Sequence, residues 1–119
     1  MTALYVALGS ALGGLCRYAV SQALNSAAGF PWGTLAVNVL GSLAIGALSG
    51  WLAQGAAGAA AIRAFAVVGF CGGFTTFSTF SNEAFRLMDG GQWGLMALYV
   101  GLSVLAGLGA VALGYMISR

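Results

Sequence analysis

The chain has very little charge. Its 119 residues include four Arg, two acidic residues and no Lys or His, so charged types make up only 5% of the whole. Soluble domains carry roughly 25% charged residues. A small domain also has too high a ratio of surface to volume to hide a hydrophobic content of 61%. The composition therefore excludes an ordinary soluble domain and favours a chain embedded in a lipid bilayer.

The sequence also lacks the residue clusters on which most enzymes depend. It contains no His, and its two Cys, Cys16 and Cys71, lie in separate apolar stretches. No nucleophile–base pair or metal-ligating cluster is present in the sequence, so we expect that the protein is not an enzyme. The Arg residues are scattered and form no basic patch, so we expect no nucleic-acid partner.

Long apolar segments are what the sequence has in quantity. A membrane-spanning helix needs about 20 mostly apolar residues, and we expect such spans at residues 3–24, 32–53, 62–88 and 93–117. Gly, Pro and small residues mark the connections at residues 25–31, 54–61 and 89–91. The start of the sequence shows neither the basic region nor the cleavage site of a signal peptide, so the first segment is interpreted as a span. The prediction is a single all-α, four-helix transmembrane domain over residues 1–119.

Charge alone gives no clear orientation. If the N-terminus faces the cytoplasm, Arg63 and Arg119 lie inside and Arg86 lies outside, a difference of one residue. The positive-inside rule needs a clear excess of Lys and Arg on one side. Two interpretations stay open: the chain inserts both ways and pairs as an antiparallel dual-topology homodimer, or other charges determine its topology.

The third segment contains the most unusual stretch, residues 69–83. Gly72 and Gly73 weaken the helix, and five hydroxyl residues follow within the seven positions 75–81. Hydroxyl side chains compete for backbone hydrogen bonds, so we predict that the third helix is broken near the bilayer midplane. Carbonyls ahead of the break carry partial negative charge and could hold Na⁺; a helix that is merely kinked is the alternative.

Two other segments carry lines of polar side chains. Thr34, Asn38 and Ser42 are spaced by four in the second segment, and Tyr99 and Ser103 repeat that spacing in the fourth. Polar residues within a span face the interior of the bundle. There they serve either as contacts between helices or as a path for a polar solute.

Three other side chains have two possible roles each. Phe77 and Phe80 lie three residues apart and share a helix face. Aromatic ring edges carry partial positive charge, so two edges turned toward a path would favour a small anion; packing in the core is the alternative. Arg17, well inside the first segment, either draws anions into an aqueous vestibule or donates hydrogen bonds to exposed carbonyls.

Three stretches, residues 13–18, 33–42 and 69–83, carry a family resemblance, and the last includes the letters GGFTTFSTFS. In them the chain resembles the Fluc (CrcB) family of fluoride channels, and the resemblance extends over essentially its whole length. It implies a fluoride-selective channel in the bacterial inner membrane that exports F⁻ passively and protects the cell from its toxicity. The alternative is a small multidrug-type proton-coupled exporter, for which this sequence lacks a carboxylate in the first helix.

The resemblance also implies roles for single residues. It implies antiparallel homodimers with two fluoride paths and a structural Na⁺ at the dimer interface, bound by the backbone carbonyls of Gly72 and Thr75. Arg17 corresponds to a vestibule arginine. The implied anion path is lined by Asn38, Phe77, Ser78, Thr79, Phe80, Tyr99 and Ser103, to which the polar line of the second segment adds Thr34. Beyond Ser103 the fourth-helix line continues as Gly107 and Val111, without hydroxyls.

Overall fold

The structure, a computed structural model, describes residues 1–25 and 29–119. Over those residues it contains no strand, and four helical segments are long and apolar enough to cross a membrane. The predicted all-helical, four-span architecture is confirmed. The spans are α1 (Thr2–Leu24), α2 (Trp32–Leu52), a third span (Ala59–Asp89) and a last helix (Trp93–Ser118). Of the predicted connection at residues 25–31, residues 26–28 lie outside the described part of the chain.

The third span consists of several shorter elements. In chain order they are α3 (Ala59–Ile62), a π-helical stretch (Arg63–Cys71), α4 (Gly72–Phe74) and α5 (Ser78–Asp89), and the last helix is therefore α6. The hydrophobic pattern did not predict the π-helical stretch, because an apolar run does not distinguish π from α hydrogen bonding. The third span begins at Ala59 rather than at the expected residue 62.

Glycines determine how the spans pair. A Cβ atom on Gly46 would collide with the carbonyl of Val111, and one on Gly114 would collide with the carbonyl of Leu43, so α2 and α6 lie in backbone contact. A Cβ atom on Gly9 would likewise collide with the carbonyl of Phe65, where α1 meets the third span. Small residues allow such close approach of helices in lipid. The bundle thus has two tightly packed pairs, α1 with the third span and α2 with α6.

The outward faces of the helices are apolar. Large hydrophobic side chains are exposed along α1 and α6, among them Leu8, Leu12, Leu105 and Leu108. Exposed Trp32, Trp51 and Trp93 all lie at or near helix ends. Indole rings favour the interface between membrane and water. This distribution is that of a protein whose outer surface contacts lipid.

The third span breaks at residues 75–77, close to its middle. Thr75 is extended, with φ −83° and ψ 158°, and helical structure resumes at Ser78. The predicted break is present, but the glycine pair does not form it, since Gly72 and Gly73 remain helical in α4. The hydroxyl run that follows interrupts the helix, because its side chains form hydrogen bonds with the backbone.

Candidate functional site

An open cavity of about 330 Å³ lies where the break faces α2 and α6. The structure brings together here four of the predicted path residues, from three different spans. They are Asn38, Phe77, Phe80 and Ser103. The remaining lining residues are Ser42, Ile45, Thr75, Thr76, Val104 and Gly107. Thr34, Ser78, Thr79 and Tyr99 were also predicted to line a path but do not border this cavity.

Asn38 joins α2 to the break in the third span. Its Nδ2 donates to the carbonyl of Thr76 over 3.1 Å, and its Oδ1 accepts from the Thr76 N–H over 2.9 Å. In an unbroken helix that N–H would bond to the carbonyl of Gly72. The Asn38 amide therefore replaces helical partners that the break removes, and its second N–H has no partner within the described residues.

Two threonine hydroxyls complete the hydrogen bonding of the break. Thr75 Oγ1 donates to the carbonyl of Cys71 over 2.8 Å, at the end of the first half. Thr76 Oγ1 accepts from the Thr79 N–H over 3.3 Å, at the start of α5. Thr79 thus contributes its backbone amide to the helix start, and Ser78 beside it is exposed. These contacts are of the kind by which Ser and Thr satisfy helix ends.

The end of the first half leaves carbonyls without amide donors. Within the described residues, no hydrogen bond reaches the carbonyl of Gly72 or that of Thr75. The carbonyl of Gly73, between them, accepts from Arg17 Nε over 3.1 Å. Of the two roles open for Arg17, the structure shows the hydrogen bond to an exposed carbonyl. A cation at the negative end of a helix is also electrostatically favourable.

The two phenylalanines of the hydroxyl run lie in different environments. Phe77 is 78% exposed, whereas Phe80 is half-buried against Tyr99, with ring centroids 5.1 Å apart. The rings of Phe77 and Phe80 are 6.0 Å apart and inclined at 44°. Both border the cavity. Phe80 therefore packs in the core and faces the cavity at the same time, and Phe77 presents its ring outward.

Buried hydroxyls extend the polar surface beyond the cavity. Tyr99 is fully buried and its Oη donates to Glu83 Oε1 over 3.3 Å. Ser103 Oγ and Thr34 Oγ1 are buried and have no hydrogen-bond partner within the described residues. A buried hydroxyl without a partner is costly. Ser103 borders the cavity, so a polar ligand there could satisfy its hydroxyl.

Three residues in and around this site were not predicted from the sequence. Thr76 was not separated from its neighbouring hydroxyls, although it alone pairs with Asn38. Glu83 bonds to both Tyr99 and Asn25, and Asn25 was interpreted only as part of a connection. Thr76 had no distinguishing signal in the sequence. For Glu83 the available signal was an acid within a span, and for Asn25 it was a polar residue directly after one.

The residues of this site lie within the part of the chain that matches known proteins. The model of a family described as "CrcB-like protein, Camphor Resistance (CrcB)" matches residues 4–115. The fluoride-specific ion channel FluC of Novosphingobium aromaticivorans is 45% identical over 119 residues, which cover 97% of this chain and 94% of that protein. The protein of the same name from Bacteroides fragilis is 41% identical over 116 residues, covering 93% and 91%. That from Nitrobacter winogradskyi is 46% identical over 118 residues, covering 98% and 94%.

Proposed function

The chain belongs to the CrcB family, and on that premise we propose that it is a fluoride-specific ion channel of the bacterial membrane. The observation that carries the proposal is the cavity at the break, which is lined by Asn38, Ser103 and the phenylalanines Phe77 and Phe80. It supplies several weak donors and no cationic side chain, since no Arg borders it. Such a surface suits an anion that must both enter and leave.

Fluoride is the anion that this chemistry favours. A small anion loses part of its water in a narrow path, and N–H, O–H and ring-edge donors can replace that water. A fixed positive charge would bind the ion strongly and slow its release. Ser103 Oγ is buried and has no partner among residues 1–25 and 29–119, so an anion bound close to it could accept its hydrogen bond. The side chains of the site would thus replace part of the water around the anion without holding the anion tightly.

The same surface supports passive movement rather than proton coupling. A proton-coupled exporter needs a carboxylate that takes up and releases protons along the path. Neither of the chain's two acids, Glu83 and Asp89, borders the cavity. Fluoride trapped in the cytoplasm can instead leave along the membrane potential, which is worth about 2.3 kcal/mol per charge per 100 mV. This reading gives no support to the alternative of a multidrug-type exporter.

Fluoride-electrode recordings from liposomes that contain only this protein test the function. With valinomycin added so that K⁺ can leave as the counter-ion, we expect rapid efflux of fluoride, and a chloride electrode should record no efflux of chloride under the same gradient. Equal rates for the two halides would contradict fluoride specificity, and protein-free liposomes give the background.

We propose further that the functional unit is an antiparallel homodimer. In α5 the exposed side chains include Ser78, Ser81, Asn82 and Arg86, and Phe77 beside them is 78% exposed. Polar side chains in a span do not face lipid. A second copy of the chain would cover this surface, and the nearly balanced Arg residues support insertion in both directions.

Dual topology predicts labelling from both sides of the membrane. A cysteine added before Met1, in a chain whose own cysteines are replaced by Ala, should react to about half completion with a membrane-impermeant thiol reagent in intact cells. Permeabilised cells should react completely. Reaction of all chains, or of none, in intact cells would exclude insertion in two orientations.

We also propose that a structural Na⁺ lies at the dimer interface, bound by the carbonyls of Gly72 and Thr75. Neither carbonyl has a donor within the described residues. Gly72 is exposed, and around a Cβ built on it the structure shows one atom within 4 Å, Val67 O at 3.9 Å. Helix ends with free carbonyls are suitable Na⁺ ligands in membrane proteins. Two such carbonyls from each copy would supply oxygen ligands without any acidic side chain.

The sodium proposal predicts where a heavier monovalent cation binds. Crystals grown with Rb⁺ in place of Na⁺ should show anomalous density between the Gly72 and Thr75 carbonyls of the two copies, because backbone carbonyl oxygens coordinate monovalent alkali cations. Density elsewhere, or none at this position, would refute the placement. Crystals grown in Na⁺ alone serve as the control.

A further inference from the structure

Asn25 connects the end of α1 to the beginning of α2. It is the first residue after α1, and its N–H donates to the carbonyl of Ser21 over 2.9 Å. Its side-chain Oδ1 accepts from the Gly33 N–H over 2.7 Å. The first amides of a helix lack partners within that helix, so this bond satisfies one of them. A Cβ atom on Gly33 would lie only 2.7 Å from Asn25 Oδ1, so this contact needs glycine.

The other end of the same amide reaches an acidic residue of the third span. Asn25 Nδ2 donates to Glu83 Oε2 over 3.4 Å, and the second carboxylate oxygen, Oε1, accepts from Tyr99 Oη over 3.3 Å. The amide orientation follows from its partners, since the Gly33 N–H can only donate and a carboxylate only accepts. One asparagine therefore links α1, α2 and α5, and through Glu83 it is linked to α6.

The Glu83 carboxylate determines how the Tyr99 hydroxyl can be used. A hydroxyl has a single proton to donate, and in this structure Tyr99 donates it to Glu83. The Tyr99 ring packs on Phe80, which borders the cavity. A shift of the carboxylate would free or redirect the hydroxyl of a residue that packs on the cavity-lining Phe80.

We propose that Asn25 is a positioning residue for fluoride permeation: it holds Glu83 through Oε2 and so fixes the direction of the Tyr99 hydroxyl. The inference rests on the proposed function. Asn25 itself does not border the cavity and acts through two other side chains. A purely structural role, as the cap of α2, would depend only on its Oδ1.

The variant Asn25→Asp separates these two roles. Asp keeps an oxygen for the Gly33 N–H, because Asp is as good a helix cap as Asn. It loses the donor to Glu83 and places a second carboxylate beside it. We expect fluoride efflux from liposomes to fall about tenfold, the effect of losing one hydrogen bond to a charged group.

The same substitution made in a Tyr99→Phe protein tests whether Asn25 acts through the Tyr99 hydroxyl. In Tyr99→Phe the hydroxyl is absent, so adding Asn25→Asp should change the efflux by less than about twofold, whereas independent effects would multiply. Size-exclusion chromatography shows whether each variant is assembled like the wild type. If Asn25→Asp does not assemble, Asn25→Ala replaces it in both backgrounds, because Ala removes the amide donor to Glu83 without adding a charge.

The outcomes are distinct. A tenfold loss that disappears in Tyr99→Phe supports the positioning role. Wild-type efflux from an assembled Asn25 variant, or an equal loss with and without the Tyr99 hydroxyl, would overturn it and leave the channel function intact. Absence of fluoride efflux from the wild-type protein in the same preparation would instead refute the proposed function, and the inference with it.

Discussion

Replacement of Asn38 by Ala should reduce fluoride efflux by about 100-fold, the largest effect expected of any single change in this chain. The substitution removes both hydrogen bonds to Thr76, at 3.1 Å and 2.9 Å, and leaves that residue's N–H and carbonyl without partners beside the break. It also removes the second amide N–H of a side chain that borders the cavity. Fluoride-electrode efflux from liposomes measures the loss.

The two roles of Asn38 can be distinguished with a second variant. Asn38→Asp keeps an acceptor for the Thr76 N–H but has no N–H of its own and adds a negative charge at the cavity. If the donor toward the ion matters, this variant should be at least as inactive as Asn38→Ala while its thermal unfolding lies closer to the wild type. Gln22→Ala, which removes an exposed amide of α1 far from the break in sequence, is the matched control. Full efflux from Asn38→Ala would remove this residue from the path.

Replacement of Phe80 by Ile should lower fluoride efflux by about tenfold with little loss of stability, since apolar exchanges of similar size usually cost under about 1.5 kcal/mol. The Phe80 ring centroid lies 5.1 Å from that of Tyr99, and Ile keeps an apolar side chain at that contact. Ile has no ring edge with partial positive charge for an anion to approach. Efflux and thermal unfolding measured on the same preparation separate the two contributions.

Another phenylalanine of the third span provides the matched control. Phe70 is half-buried and forms a stacked pair with Phe74 at 5.8 Å, but it does not border the cavity. Phe70→Ile should therefore keep its efflux within about twofold of the wild type. If Phe70→Ile and Phe80→Ile lose efflux equally, the effect belongs to aromatic packing in general, and the ring-edge account of the path is wrong.

The spans could be predicted because a membrane imposes a simple requirement on composition. An apolar run of sufficient length is recognisable without any knowledge of its neighbours, and the four helices follow from such runs. The break in the third span was also predictable in kind, since a hydroxyl run competes with helical hydrogen bonds. Its position was less so: the glycine pair at 72–73 stays helical, and the interruption begins at Thr75.

The partners of the site residues could not be predicted. Asn38 and Thr76 are 38 residues apart, and Arg17 and Gly73 are 56 apart. Which residues meet depends on how the spans pair, and that pairing is determined by close backbone contacts such as those at Gly46 and Gly114. A polar line along one helix shows that a partner exists without identifying it.

For the same reason, only individual contacts bear on the alternatives that the sequence left open. Arg17 was assigned either to a vestibule or to exposed carbonyls, and the structure shows its hydrogen bond to the Gly73 carbonyl. Phe80 was assigned either to packing or to a path; it packs on Tyr99 and borders the cavity, and its part in a path stays a prediction. Local sequence contains no information on which of two neighbouring groups a long side chain reaches.

The central claim is that fluoride crosses as an ion, uncoupled to protons, through the surface at the break. Liposomes loaded with potassium fluoride test it most directly when fluoride is recorded before and after valinomycin is added. An uncoupled channel moves charge, so efflux should remain minimal until valinomycin lets K⁺ leave and then become rapid. Rapid fluoride efflux before valinomycin, at the same rate as after it, would show electroneutral coupled transport and contradict the account.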